Sequence, residues 1–491
     1  MKTRGAMFAL AAAALVAAGC RTEDAVIRDY RAKIAAGDYA GAVDEPRKRA
    51  EEGGGTLLLW QLMTASALDL SGDAASALDW YDLAESAMAA NDSQSVFSQA
   101  AGSAYAMMLN DRYFPYDGGG QDRIFTCFYK GVNYASLGRT DSARTEFNRA
   151  DEHQRLWLVQ REKDLAAAGE RLEKDAAAYS KEKSEGTGDD SAGKSSIAVS
   201  NAMNDGSFGA TLKETFGFDI FTSGVLDKLK PADYQNSYIA HAIGVFRWLN
   251  GDGGRSHLAN AKALMPRNAT VRADFADCDA GKRPEDDVWV YVEDGLCPWR
   301  EAWRIDLPLL LIPYAEKYVK YAGMSLPRLR ECPAAASNWH ANGVRLEELA
   351  DVDALAKIEY DVYMRGAIKR EITRTVVNVG VQAALGIVAE NTSDSKTRLA
   401  LQLSQYAVAA YAFASKGADT RCWAALPKRV YVARLKRPAD GRLDIRADGL
   451  NAAQVILPEK GCAMVFIRKP STSAPCAVKV VSIRDNPPFG I

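Results

Sequence analysis

The chain predicts an α+β protein: helical repeats run through its first half, and a mixed domain with a small β-sheet or sandwich and a central helix pair follows. Three observations carry that expectation. Small and aromatic residues recur at helical spacing around Gly37, Gly72 and Gly138, which lie about one and two repeats of roughly 34 residues apart. Runs of β-branched and aromatic residues bounded by Pro, Gly or Asp begin at Val288 and resume beyond Ala418. The composition, 48% hydrophobic and 25% charged over 491 residues, belongs to soluble globular proteins long enough for two or three domains.

The chain opens with Lys2 and Arg4, then an apolar run from Ala6 to Ala18 closed by Gly19-Cys20, which is the order of charge, apolar core and small residue in an export signal. Nothing amphipathic in the run marks a packing face, so a short buried helix explains it less well. Ending on Gly-Cys, residues 1–19 resemble a bacterial lipoprotein signal, although Ala17 stands where that signal usually has Leu. The resemblance implies cleavage before Cys20 and lipidation of its thiol, and several acyl chains on one residue make a lasting membrane anchor. Arg21, in place of Asp, implies by likeness to the enteric type an outer-membrane location.

Residues 20–178 read as helices. In Gly131–Ala150, GVNYASLGRTDSARTEFNRA, Gly131 and Tyr134 give a first helix a small residue for close approach and an aromatic to fill the gap. Gly138 ends that helix where a positive φ costs nothing. Ala143, Phe147 and Ala150 then form one apolar stripe on a second helix. Gly72, Ala77, Tyr81 and Ala84 repeat these offsets, and Gly37-Asp38-Tyr39 with Ala42 repeats the turn. The pattern resembles a tetratricopeptide (TPR-like) solenoid, with a degenerate copy near Leu109-Asn110-Asp111. Stacked units of this kind leave a concave groove that usually holds a protein partner.

Residues 179–200 form a polar linker or exposed loop. Inside it, Gly188 and Gly193-Lys194-Ser195 match the P-loop spacing, and Val288–Asp294 can be argued as its magnesium strand. A working P-loop follows a buried strand, however, and here Lys, Glu and Ser precede while Asp189 and Asp190 repel phosphate. No nucleotide is expected. Residues 201–283 continue the helical, TPR-like pattern, with Leu258 and Ala261 before Pro266. A net charge of −2 gives no footprint for nucleic acid. The four histidines lie far apart and no zinc spacing occurs, so neither metal nor cofactor is expected.

Residues 284–491 form the mixed α/β domain. Val288–Val292, the Asp294-Gly295 turn and Trp299–Leu307 predict a hairpin that joins the later sheet. Met324–Leu329 adds a short strand, confined to an edge by Pro327. From Arg345 to Glu390 the pattern is helical, and its continuation TVVNVGVQAALGIVAE, apolar nearly all round, predicts a buried central helix with Leu399–Ser415 as partner. Strands are expected at Val430–Leu435, Leu443–Arg446, Val455–Leu457, Met464–Ile467 and Val478–Ile483, as a sandwich or open barrel.

No elbow or triad motif marks a nucleophile, and no catalytic residue is assigned. Glu347, Glu348, Asp351 and Asp353 fall between apolar positions of one expected helix and read as its solvated face. Tyr113, Tyr116, Asp117 and Arg123, around the glycine loop Asp117–Gly120, are the candidate binding residues, with aromatic rings suited to a sugar or peptide. Of the eight cysteines, Cys462 and Cys476 flank a turn and are the candidate disulfide. Cys127 reads as core.

The lipid signal together with YKGVNYASLGRTDSARTEFNRA, VYVEDGLCPWREAWRIDLPL, LEELADVDALAKIE and ADTRCWAALPKRVYVARL resembles a family of uncharacterised bacterial lipoproteins. Its relatives look linked to lipoprotein activators of penicillin-binding proteins, the peptidoglycan synthases. The resemblance implies a non-enzymatic, lipid-anchored envelope scaffold or adaptor that binds a protein partner. The alternative is a glycan- or peptidoglycan-binding surface protein, or a hydrolase, using the Tyr113–Asp122 loop.

Overall fold

Helices α1 (Glu23–Ala36), α2 (Asp44–Glu52), α3 (Leu57–Leu70), α4 (Ala74–Ala100), α5 (Gly120–Ser136) and α6 (140–160) open the chain, and α7 (Ser237–Leu249), α8 (Arg255–Leu264) and α9 (Ala269–Asp279) follow. The computed structural model describes residues 22–100, 114–160, 163, 234–306, 319–320, 322–414 and 417–483. The export signal with Cys20, the degenerate repeat copy, Tyr113 and the 179–200 loop with its P-loop match lie outside the described residues.

One local device ends five of these helices. Gly37, Gly72, Gly138, Gly251 and Gly281 all have positive φ, and each donates its N–H three residues back. The residue after each glycine donates five back: Asp38 to Lys33, Asp73 to Leu68, Arg139 to Tyr134, Asp252 to Arg247, and Lys282 to Asp277, at 2.8 to 3.0 Å. The left-handed glycine thus satisfies the terminal carbonyls and reverses the chain. The expected stripes are buried: Ala77, Tyr81 and Ala84 are 0% exposed, and Phe147, between Ala143 and Ala150, is 2% exposed. A methyl on Gly131 would lie 2.5 Å from the Phe147 ring, so that glycine sets the distance between α5 and α6.

The strands are β1 (Asp287–Asp294), β2 (Trp299–Asp306), β3 (Gly323–Arg330), β4 (Trp339–Ala341), β5 (Val344–Arg345), β6 (Glu347–Asp351), β7 (Arg429–Lys436), β8 (Arg442–Ala447), β9 (Leu450–Ile456), β10 (Cys462–Lys469) and β11 (Ala477–Ile483). Five of them form a mixed sheet in the order β11-β10-β1-β7-β6, parallel only between β1 and β10. One face of it, Val288, Val290, Val292, Val465 and Ile467, packs on the sheet β5-β4-β8-β9 through Trp339, Leu443 and Ile445. The opposite face, Trp289, Tyr291, Met464 and Phe466, packs on the helices. The expected sandwich therefore exists, the C-terminal strands fall where the sequence predicts, and the fold is α+β.

Two expectations in this region need correction. Val288–Val292 does not form a hairpin with Trp299–Leu307: β1 is a central strand, and β2 pairs with β3 instead. All eight residues of β1 are buried, so it needs cover on both faces and neighbours on both edges, which a hairpin cannot supply. The acidic cluster is not one helical face either. Glu347 and Glu348 lie in β6, Asp351 caps the following helix by accepting from Ala354 N–H at 3.0 Å, and Asp353 is buried against Lys428.

That helix, α10 (Val352–Asn391), pairs with α11 (Ser395–Ala414). The pair is not the buried central one expected. Val379 and Gln382 are buried, but Val381, Ile387 and Val388 on α10 and Leu399, Leu403 and Tyr406 on α11 are exposed. A 40-residue helix is about 60 Å long, longer than the core it leaves. Among the described residues, no helix is long and apolar enough to cross a membrane. The Cys462–Cys476 pairing also fails. Cys462 lies opposite Ile483, whereas Ala477, next to Cys476, lies opposite Arg468. The two cysteines thus stand at opposite ends of the β10–β11 ladder, about 20 Å apart, and bridging needs Cα atoms within about 7 Å.

A buried charge network locks helices to sheet. Arg468 of β10 binds Glu293 at 2.9 Å, Asp69 at 3.3 Å and the Ala425 carbonyl at 2.7 Å, with its guanidinium 4.5 Å from the Tyr129 ring centre. Glu293 also accepts from Tyr129 and Tyr238 hydroxyls at 2.9 and 2.8 Å, and Asp69 from Asn133 and Lys479. Every charge in this seam has an opposite charge and hydrogen bonds, which is the condition for burying it.

Candidate functional site

The loop before α5 is held open by local chemistry. Tyr116 donates its N–H to the Gly55 carbonyl at 2.7 Å, and Gly118 takes φ 73°. A methyl on Gly120 would lie 2.0 Å from the Trp157 ring, and one on Gly119 3.1 Å from the Glu359 carboxylate. The glycine run therefore lets an aromatic ring and an acid close on the start of α5. Asp122 completes the turn, accepting from Gly119 N–H at 3.0 Å and Tyr116 hydroxyl at 2.5 Å. Burial pushes its carboxyl up despite these bonds, and burial does the same to Asp117.

This loop forms one wall of a cavity of about 930 Å³, within the range of small-molecule sites. The other walls come from β2, the start of α10, the end of α6 and the 419–426 segment. Tyr116, Trp157, Tyr360, Tyr363 and Trp423 turn aromatic surface to it. Arg421 pins the rim by binding Asp419 at 2.7 and 3.0 Å and the Phe114 carbonyl at 2.7 Å. Burial works against the Asp419 charge, but the Arg421 guanidinium outweighs it and holds that carboxyl low. Cys297 and Cys422 also face the cavity, and burial pushes both thiols up, away from the nucleophilic thiolate.

Two lining groups lack partners. The Arg300 guanidinium stacks 4.6 Å from the Tyr363 ring centre, yet makes no hydrogen bond or ion pair with any described residue. Burial opposes its charge; the nearby Tyr363, Cys422, Asp419 and Tyr116 outweigh that and keep it protonated. Gln121, at the first turn of α5, is 4% exposed, and neither its amide nitrogen nor its oxygen has a partner among the described residues. Buried polar groups are normally paired, which makes Gln121 the exception; Arg300 is half-buried and open to the cavity.

Of the residues expected from sequence, Tyr116, Asp117 and Arg123 all lie on this cavity. Arg123 is spent on Asp92, with two bonds of 2.8 Å, and on the Asp117 carbonyl at 3.2 Å. Gln121 falls inside the Tyr113–Asp122 loop that the sequence singled out, whereas Arg300, Tyr363 and Glu359 come from β2 and α10, and no spacing in the sequence joins those segments to the loop. Elsewhere Glu85, Cys127 and Glu146 stand within reach of one metal ion. The Lys130 ammonium already sits among them, at 2.5 Å from Glu85 and 2.9 Å from Glu146, and supplies the positive charge. The inner faces of α5 and α7 are covered by the sheet, where the Phe128 ring lies 6.3 Å from that of Phe466.

Compared with family models, with curated proteins and with solved structures, the chain matches none.

Proposed function

We propose that this is an exported envelope protein, lipid-anchored at Cys20, that binds a glycan fragment of the cell wall in the cavity beside the Tyr116–Arg123 loop, without catalysing a reaction on it. The observation that carries the reading is the cavity lining. Aromatic faces suit the C–H faces of sugar rings, and Asp117, Asp122, Gln121 and Arg300 suit hydroxyl, amide and acid groups around their edges. The helical hairpins are, in this reading, TPR-like units. The left-handed glycines and the buried Ala77, Tyr81, Ala84 and Phe147 support that. Their inner face holds the chain's own sheet, so they act as a frame for the cavity. The test is a titration of the mature chain with soluble peptidoglycan fragments, followed by the fluorescence of Trp157 and Trp423. Saturable quenching is expected; a flat signal, with calorimetry also silent, sinks the reading.

One observation favours a second reading, the protein adaptor. The α10–α11 hairpin exposes Val381, Ile387, Val388, Leu399, Leu403 and Tyr406, and exposed apolar surface of this extent marks interaction sites. Crosslinking in intact envelopes from Leu399 and Leu403 positions tests it: one discrete protein adduct, lost with Leu403→Glu, supports an adaptor, and absence of adducts removes it.

A further inference from the structure

We propose that Arg300 seats a carboxylate of the ligand, with the Gln121 amide as its neutral neighbour, so that the cavity selects an acidic sugar over its uncharged counterpart. This rests on the glycan reading above and adds the chemical group that decides specificity.

The argument begins with how this chain treats its other enclosed arginines. Arg468 meets Glu293 and Asp69, Arg421 meets Asp419, Arg434 meets Asp274, Asp277 and Asp287, and Arg31, which meets no acid, is held by the Ala424 and Cys297 carbonyls. A guanidinium drawn out of water needs hydrogen-bond acceptors in its place, an anion being the strongest. Arg300 lines the cavity with no such partner among the described residues. Its flat face is taken by Tyr363, which leaves the N–H edge, the part that grips an acid in a two-pronged fork.

The neighbourhood sets the kind of anion. Asp117, Asp122, Glu359 and Asp419 line the same cavity with Arg123, Arg421 and Lys163; Arg123 and Arg421 are paired with Asp92 and Asp419, and the one unpaired guanidinium suits a carboxylate. The second observation is independent of charge. Gln121 is nearly enclosed and unpartnered on both amide atoms, and it sits at the N-terminal turn of α5, the positive end of a 17-residue helix. An acidic sugar with an ether or amide offers a group to each of the two residues lining the cavity.

The experiment compares two probes that differ by one acidic arm: N-acetylmuramic acid, which carries a lactyl carboxylate, and N-acetylglucosamine, which lacks it. Calorimetric titration of the mature chain is expected to show at least about tenfold tighter binding of the acid, the scale of a charged hydrogen-bonded pair. Arg300→Met should bring the two sugars to equal affinity while still binding the neutral one. Gln121→Glu, which adds an acid to the same cavity wall, should also weaken the preference for the acidic sugar, and it guards against a folding defect in the first variant. Equal binding of both sugars by the parent protein, or a preference that survives Arg300→Met, overturns the carboxylate seat and leaves the glycan reading standing. Failure of the parent to bind either sugar or larger wall fragments overturns both.

Discussion

Arg468 and Arg300 look alike at first: each springs from a strand, and each stacks on a tyrosine, at 4.5 and 4.6 Å from the ring centre. Arg468 then binds two carboxylates and a carbonyl at the seam between helices and sheet, whereas Arg300 has Asp419 nearby but makes no ion pair or hydrogen bond with a described residue. Aromatic contact is common to both, so it does not mark function. What separates the two is whether the chain itself supplies acceptors for the guanidinium.

Four measurements bear on that contrast. Arg468→Met should cost the most, about 3–5 kcal/mol in chemical denaturation, because Asp69 and Glu293 would remain buried with their main counter-charge removed. A loss below about 1 kcal/mol would mean the seam does not lock the molecule. Asp294 comes next, as a buried acid with no ion pair among the described residues. Its Oδ1 accepts from Ala336 N–H at 2.9 Å and Trp339 Nε1–H at 3.3 Å, its Oδ2 has no partner among the described residues, and burial lifts the carboxyl to about 6. A carboxyl raised above its unfolded value of about 3.9 stabilises the fold below that value and loses its contribution as pH rises through 6. Asp294→Asn should therefore gain on the parent between pH 4 and 7, by up to about 3 kcal/mol; a pH-independent difference would contradict it.

Gly131→Ala should cost about 1–3 kcal/mol through the clash with Phe147, and Phe147→Leu in the same chain should recover part of it. A neutral Gly131→Ala would show that α5 and α6 are less tightly set than the seam. The smallest effect is expected from Arg300→Met, within about 0.5 kcal/mol in thermal unfolding, since no described partner is stranded by its removal. A large loss there would make Arg300 structural and erase the contrast.

Local features were legible in the sequence and distant pairings were not. Gly72 and Gly138 could be placed because a helix that must reverse needs a left-handed residue at a set offset from its apolar stripe. The strands from Arg429 to Ile483 could be placed because alternation and turn residues are local signals. The hairpin reading of Val288–Val292 went astray because a strand's period does not name its partner, and β1 pairs with β7 and β10. For the same reason Tyr116, Asp117 and Arg123 were found through one loop, while Arg300 and Glu359, which complete the cavity, were not. The apolar run at the end of α10 was read as interior because hydrophobicity counts residues, and in the structure the helix outruns the body that would cover it.

Since both neighbours of β1 are synthesised long after it, the middle of the sheet has nothing to pair with while the nascent chain is short. The helices made first are equally dependent on what comes later: Arg31 binds the Ala424 carbonyl, and the Tyr39 hydroxyl the Pro475 carbonyl. Pairings between residues this far apart in the chain raise the contact order, which slows folding.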